Sequence, residues 1–371
     1  MTTAVDTDLL AIADSVVERA GPGEQIEAFV SRGGETEIRV YHGEVEHFVS
    51  AQSEGVGVRV VRDGRTGFAY AGTLDDQAVG EVLAEARANV EFGTVDEWAG
   101  LAEPDGVTPT DHELWNDELA AFPTDAKIEL ALELERATLA ADDRVRIDDA
   151  NYVDAHGEAA VATTTGIRRW GRENGCYVVA STLADDESET QTGFGFSVGR
   201  SPADLDLPRA ATDAADRATR LLGATKPASE RLTVVLDPYV TAQFLSIVSS
   251  TLNGEAVAKG RSLFRDRLGD GIAASGVTLV DDPTNPLAYT ATDVDGEGLA
   301  ARRNVLVDAG RLEMFVHNAY SARRSGTVST GNAVRGGFSG TPGVGALALA
   351  LVPGERRQAD IVAGVDHGVL I

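Results

Sequence analysis

Residues 232–283 read LTVVLDPYVTAQFLSIVSSTLNGEAVAKGRSLFRDRLGDGIAASGVTLVDDP. The changes of period within this stretch decide how the chain divides. Residues 232–236 are a short apolar strand pattern running into Asp237-Pro238. Val240, Phe244, Leu245, Val248 and Leu252 then recur at helical spacing. The helix closes on the hexapeptide Gly254-Glu255-Ala256-Val257-Ala258-Lys259. Beyond it the pattern is strand and turn: 277–280, a hairpin of 305–308 and 311–316 around Ala309-Gly310, a Ser/Thr/Gly/Asn-rich segment 327–342, and an Ala/Leu alternation at 346–352. Residues 358–366 read as a short helix, and 368–371 as the start of a strand.

Working outward toward the N-terminus, two units of another kind precede this one. The first opens on an amphipathic helix with Leu9, Leu10, Ile12, Ala13, Val16 and Val17. Strand patterns follow at 26–30, 36–41, 45–50, 57–61 and 66–71, with Gly33-Gly34, His42-Gly43 and Asp63-Gly64 as turns suited to antiparallel hairpins. A helix over 75–92 presents Val79, Val82, Leu83, Ala86 and Val90 on one face. The second unit repeats that order. It has a helix over 124–141 with Ile128, Leu130, Leu132, Leu134 and Leu139, then strands at 145–150, 159–164, 167–174, 175–183 and 187–198, and a helix over 203–222. The repeated order is compatible with internal duplication, although no residue-level repeat is visible.

The expected fold class is α+β: two helix-flanked antiparallel-sheet units followed by a mainly β C-terminal domain. The expected domains are 1–95, a linker 96–122, a central domain 123–224, and a C-terminal domain 230–371 that reads as incomplete.

Charge is the strongest compositional signal. The formal net charge is −27, and only three of the 32 basic residues are lysine (Lys127, Lys226, Lys259). Carboxylates spread along the whole chain read as adaptation to a salty cytoplasm, since salt screens such self-repulsion. A functional acidic tail would be a block. No basic stripe exists to meet phosphates, which argues against nucleic-acid binding. The single cysteine, Cys176, excludes an internal disulfide and a multi-Cys zinc site. The first residues lack a basic leader and a long apolar core, and the longest apolar run, 343–352, is too short to span a bilayer. A cytoplasmic protein with no membrane partner is expected.

Several motifs have a functional and a plain reading. Gly195-Phe196-Ser197-Val198-Gly199 fits the nucleophile-elbow pattern, but Phe194, Phe196 and Val198 alternate straight through it, which places Ser197 in a strand rather than a strained turn. His42 and His47 lie at odd spacing in a hairpin and so face opposite ways. His156 reads as a turn histidine, His112 and His367 sit in polar context, and Cys176 reads as a buried thiol. His317 follows an apolar strand and reads as a core or groove histidine. Gly331, Asn332, Arg335, Gly336 and Gly337 form a polar loop that could contact an extended peptide. His317, Asn332 and Arg335 are therefore the candidate substrate-binding residues.

The segments Glu54-Gly55-Val56-Gly57-Val58-Arg59-Val60 and Gly64-Arg65-Thr66-Gly67-Phe68-Ala69 resemble the N-terminal signature of the TldD/PmbA family. Leu221-Leu222-Gly223-Ala224, Asp281-Asp282-Pro283, Ala322-Arg323-Arg324-Ser325-Gly326 and Ser329-Thr330-Gly331-Asn332-Ala333 resemble the same family, in its order and over essentially the whole chain. The resemblance implies a cytoplasmic heterodimer degrading unfolded or peptide substrates. One branch, TldD, carries H-E-x-x-x-H on a helix, where two histidines hold zinc and the glutamate acts on a water. The PmbA branch, also called TldE, lacks the motif and is regarded as the partner subunit.

Laid on that motif, the hexapeptide puts Gly254 and Lys259 at the histidines and Glu255 at the glutamate. Glycine offers no ligand, an ammonium repels a cation, and zinc needs about three protein donors. The chain is therefore similar to the PmbA branch. The expectation is a non-catalytic subunit with no cofactor of its own, paired with a zinc-bearing TldD-type subunit. Two alternatives stand beside it: an active metallopeptidase using His317 or His367 with Glu255, and a peptide- or protein-binding module without protease activity.

Overall fold

The structure, a computed structural model, describes residues 8–186 and 189–371. Helix α1 (Leu9–Val17) begins where the Asp8 carboxylate accepts from the Leu10 and Ala11 N–H groups. Strands β1 (Gln25–Tyr41), β2 (Glu44–Arg62) and β3 (Arg65–Ala71) and helix α2 (Asp76–Val90) complete the first unit. The second contains α3 (Asp117–Ala120), α4 (Thr124–Ala141), β4 (Val145–Thr163), β5 (Arg168–Asp185), β6 (Thr190–Gly199) and α5 (Leu207–Thr219). The strand pattern expected from residue 187 starts at 187 and 188, outside the described residues.

The two units do not keep separate sheets. Their strands form one six-stranded sheet in the order β3-β2-β1-β4-β5-β6. The join is the antiparallel pairing of β1 with β4, from Glu27 opposite Thr163 to Val40 opposite Ala150. The strand order is symmetric about that join, matching the repeated element order in the sequence.

The expected turn at Gly33-Gly34 is a correction. Strand β1 runs straight through it, opposite Gly157 and His156 of β4. His156 is therefore a mid-strand residue and not a turn histidine. The two glycines serve close approach instead: a Cβ on Gly33 would lie 2.6 Å from the His156 carbonyl oxygen, and one on Gly34 2.6 Å from His156 Cε1. His42-Gly43 and Asp63-Gly64 are turns as read, all at positive φ.

One face of the sheet carries the helices. Ile26, Ala28, Val30, Val56, Val58 and Val60 pack under α1 and α2. Farther along β1, Ile38 and Val40 join Tyr152, Val178 and Ala180 under α4 and α5. Helix α4 buries Ala131, Leu134, Glu135 and Thr138, while Leu139, expected on its apolar face, is 41% exposed. The edge strands admit helix backbone where a side chain would not fit. A Cβ on Gly67 would lie 2.1 Å from the Ala86 carbonyl oxygen of α2, and one on Gly195 1.9 Å from that of Ala210 in α5. The Gly195–Gly199 motif is thus a helix-packing surface on a strand, with Ser197 Oγ accepting from the Asp206 N–H.

The remaining elements are β7 (Thr233–Val235), α6 (Pro238–Thr251), α7 (Gly254–Ala258), β8 (Leu279–Asp281), β9 (Asn304–Asp308), β10 (Arg311–Leu312), α8 (Ala319–Ser325), β11 (Ala333–Val334), β12 (Gly343–Val344), β13 (Leu349–Leu351), α9 (Gln358–Ala363) and β14 (Gly368–Leu370). They form a four-stranded sheet, β10-β9-β8-β13, and two strand pairs, β11-β12 and the parallel β14-β7. Leu252, Leu279, Leu306, Val307, Leu312 and Val316 make the core. Of the apolar residues expected to face inward from α6, Leu245, Val248 and Leu252 do so, whereas Phe244 is 55% exposed. The fold is α+β with helix-flanked antiparallel strands. The third region lies against the sheet face opposite the helices, where Leu299 and Ala319 meet Phe29 and Val161.

Candidate functional site

The hexapeptide begins one turn after α6. Asn253 caps the short helix α7, its side-chain oxygen accepting from the N–H groups of Glu255 (2.8 Å) and Ala256 (3.1 Å). The Asn253 amide donates to the Val344 carbonyl at 2.7 Å. The backbone here runs alongside Val316: Gly254 N donates to Val316 O at 2.8 Å, and Val316 N to Leu252 O at 3.0 Å. That pairing fixes the next residue, His317, against Gly254.

His317 is 6% exposed. Its backbone N–H donates to Thr330 Oγ1 at 2.7 Å, and its ring Nδ1 lies 3.1 Å from Ser321 Oγ. Burial pushes its pKa down from the ordinary imidazole range, which favours the neutral ring near pH 7. The ring fills the volume beside Gly254: a Cβ there would lie 2.1 Å from Cε1 and 2.2 Å from Nδ1. Glu255 is ion-paired with Lys259 one helical turn on. His367, the other histidine considered as a ligand, is exposed and pairs with Glu230 at 3.2 Å. Among the described residues no group of three or more His, Cys, Asp or Glu side chains converges as a metal site.

Asn332 and Arg335 are likewise engaged within the protein. Asn332 is fully buried. Its amide donates to Asp281 Oδ2 (2.6 Å) and Gly345 O (3.0 Å), and its oxygen accepts from Asn304 (2.9 Å) and Thr330 (2.7 Å). Asp281 takes two backbone N–H groups, Leu347 and Ala348, on its other oxygen. Burial raises its pKa against those donors. Arg335 donates to Glu27 at 2.6 Å, to Gly296 O at 3.1 Å and to Gly340 O at 3.0 Å, and stacks over Phe29 with Cζ 4.5 Å from the ring centre. His317, Asn332 and Thr330 belong to one connected buried polar network. Arg335 belongs to a second, with Glu27, Arg59 and Glu297. Neither Asn332 nor Arg335 extends a free group toward solvent.

The second network was not visible in the sequence. Glu27 sits between Ile26 and Ala28, so strand alternation puts it on the face away from the helices, which reads as solvent until the third region covers it. Asp295 and Glu297, also buried, lie in a loop with no periodicity to read. Cys176 is a buried thiol as read, and burial pushes its pKa up to about 12.

Fold and geometry together define an α+β protein of three segments whose third segment carries the short helix α7, with no metal-donor set on it among the described residues. Residues 26–90 match the profile described as PmbA/TldA metallopeptidase domain 1, residues 117–222 the central domain, and residues 229–371 the C-terminal domain. A metalloprotease from Methanothermobacter thermautotrophicus is 26% identical, over 99% of this chain and 80% of that protein. Metalloprotease PmbA from Escherichia coli O157:H7 is 23% identical, over 87% of this chain and 72% of that protein. The crystal structure of TldE from Thermococcus kodakarensis superposes with a TM-score of 0.86 at 23% identity, over 98% of this chain and 80% of that one. The chain belongs to the PmbA/TldD metallopeptidase family.

The family's description implies a catalytic metal, and residues 254–259 do not form a donor set for one. Gly254 contributes no donor, the Lys259 ammonium already sits on Glu255, and the space for a side chain at 254 is filled.

Proposed function

We propose that this chain is a PmbA/TldE-like, non-catalytic subunit of a TldD-type zinc metalloprotease. In this reading it pairs with a subunit carrying H-E-x-x-x-H and acts on unfolded or peptide substrates in the cytoplasm. The observation that carries the proposal is the local geometry at Gly254, Glu255 and Lys259: the acid of the motif is kept, neither ligand position offers a donor, and a buried histidine fills the adjoining space. Membership in a metallopeptidase family supports the link to proteolysis. No helix among the described residues is long and apolar enough to cross a membrane, which is compatible with a cytoplasmic location.

The test has two arms. The isolated chain is purified, its metal content measured by mass spectrometry, and its cleavage of unfolded peptides followed with and without chelator. The chain is then co-expressed with a TldD-type protein and the same assays repeated. The expected result is no stoichiometric zinc and no cleavage alone, with both present in the co-purified pair. One tightly held zinc and chelator-sensitive cleavage by the isolated chain would favour the reading in which this chain is itself the peptidase.

A further inference from the structure

We infer that the vacated metal position has been refilled from within the chain, so that restoring both histidines would not restore a zinc site. This rests on the reading of Gly254–Lys259 as a degenerate ligand helix. The geometry itself does not.

Two replacements act together. The His317 imidazole stands where the side chain of residue 254 would project. The 2.1 Å and 2.2 Å separations from an added Cβ to Cε1 and Nδ1 are far inside contact distance. His317 cannot swing clear at little cost. Its ring is held by Nδ1 at Ser321 and by its buried setting. Gly254 is equally fixed, since its N–H is bonded to Val316 O and its helix is capped by Asn253. The Lys259 ammonium meanwhile neutralises Glu255, supplying a built-in cation at the acid of the motif. Glycine at 254 is then required by the chain's own packing, and the imidazole and the glycine form a matched pair. Overpacking a site of this kind forces side chains off their rotamers or shifts backbone.

The decisive experiment is a stability cycle on the full chain, with Gly254→Ala, His317→Ala and the double variant melted without added metal or partner. Expected is a loss of several degrees in melting temperature for Gly254→Ala in the wild-type background and little or no loss in the His317→Ala background. Equal effects of Gly254→Ala in both backgrounds overturn the inference. Gly254→His/Lys259→His is then dialysed against zinc. Uptake of one equivalent with an unchanged circular dichroism spectrum also overturns it. Because the cycle uses neither zinc nor a partner, its failure leaves the proposed subunit role standing, and catalysis by the isolated wild-type chain would leave the packing result standing.

Discussion

Arg335 Nη2 lies 2.6 Å from Glu27 Oε1, joining positions 308 residues apart. The other Glu27 oxygen takes Arg59 Nη2 at 2.7 Å. One buried carboxylate thus lies between an arginine of its own sheet and an arginine of the third region.

Glu27→Gln is expected to destabilise the protein by about 3–5 kcal/mol, because two guanidinium groups would remain buried against a neutral amide. Burial opposes ionisation of Glu27, yet the attraction of Arg59 and Arg335 outweighs it and holds the pKa below the ordinary carboxylate range. The stability this group contributes is present above its unfolded pKa and is lost as pH falls through the folded one. Urea unfolding at pH 7 checks the magnitude. A midpoint equal to wild type would show that the ion pair does not hold the regions together.

Asp295 has the opposite sign. Burial and the neighbouring Glu297 push it up to about 7, against three backbone N–H bonds from Glu297, Leu299 and Ala333. Folding therefore raises its proton affinity, and its contribution to stability declines as pH rises from about 4 to about 7. Asp295→Asn removes that slope. The melting temperature of the variant minus that of wild type should climb across this window and level off above it. A difference that does not vary with pH would contradict the assignment.

At the sheet edge, Gly195→Ala would place a methyl group 1.9 Å from the Ala210 carbonyl oxygen, a backbone atom that cannot rotate away. A loss of about 1–3 kcal/mol or more is expected. Ser197→Ala, two residues on, should change stability by no more than about 1.5 kcal/mol, since it removes only the acceptor for Asp206 N–H. Denaturant midpoints of the two variants, compared side by side, would refute the packing account if Ser197→Ala were the more damaging.

A net charge of −27 should make stability depend on salt. Raising KCl from about 0.1 M to about 1 M shortens the screening length from about 10 Å to about 3 Å. The melting temperature is expected to rise over that range. A flat or falling profile would refute salt adaptation as the reason for the composition.

Local pattern was enough for the helices that flank the sheet but not for strand length: the patterns at 45–50 and 57–61, at 145–150 and 159–164, and at 167–174 and 175–183 belong to the single strands β2, β4 and β5. The apolar spacing in α2 and the glycine turns after β1 and β2 were readable because each depends on neighbours in sequence. Gly33-Gly34 misleads for the same reason. A glycine pair signals a turn locally, and only the backbone of β4 crossing at His156 shows that the need is for space. Glu27 and Arg335 could not be identified as partners, since strand alternation gives a residue's face and not what covers that face.

The sequence by itself determined the α+β class with helix-flanked antiparallel strands, the family resemblance, and the absence of imidazoles at positions 254 and 259, because these are properties of residue identity and spacing. Tertiary structure alone decided that two units share one sheet, that Asn332 and Arg335 turn inward, and that His317 lies against Gly254. The physical reason is that close packing and buried charge are satisfied by groups brought together from distant parts of the chain, where no local period records the contact.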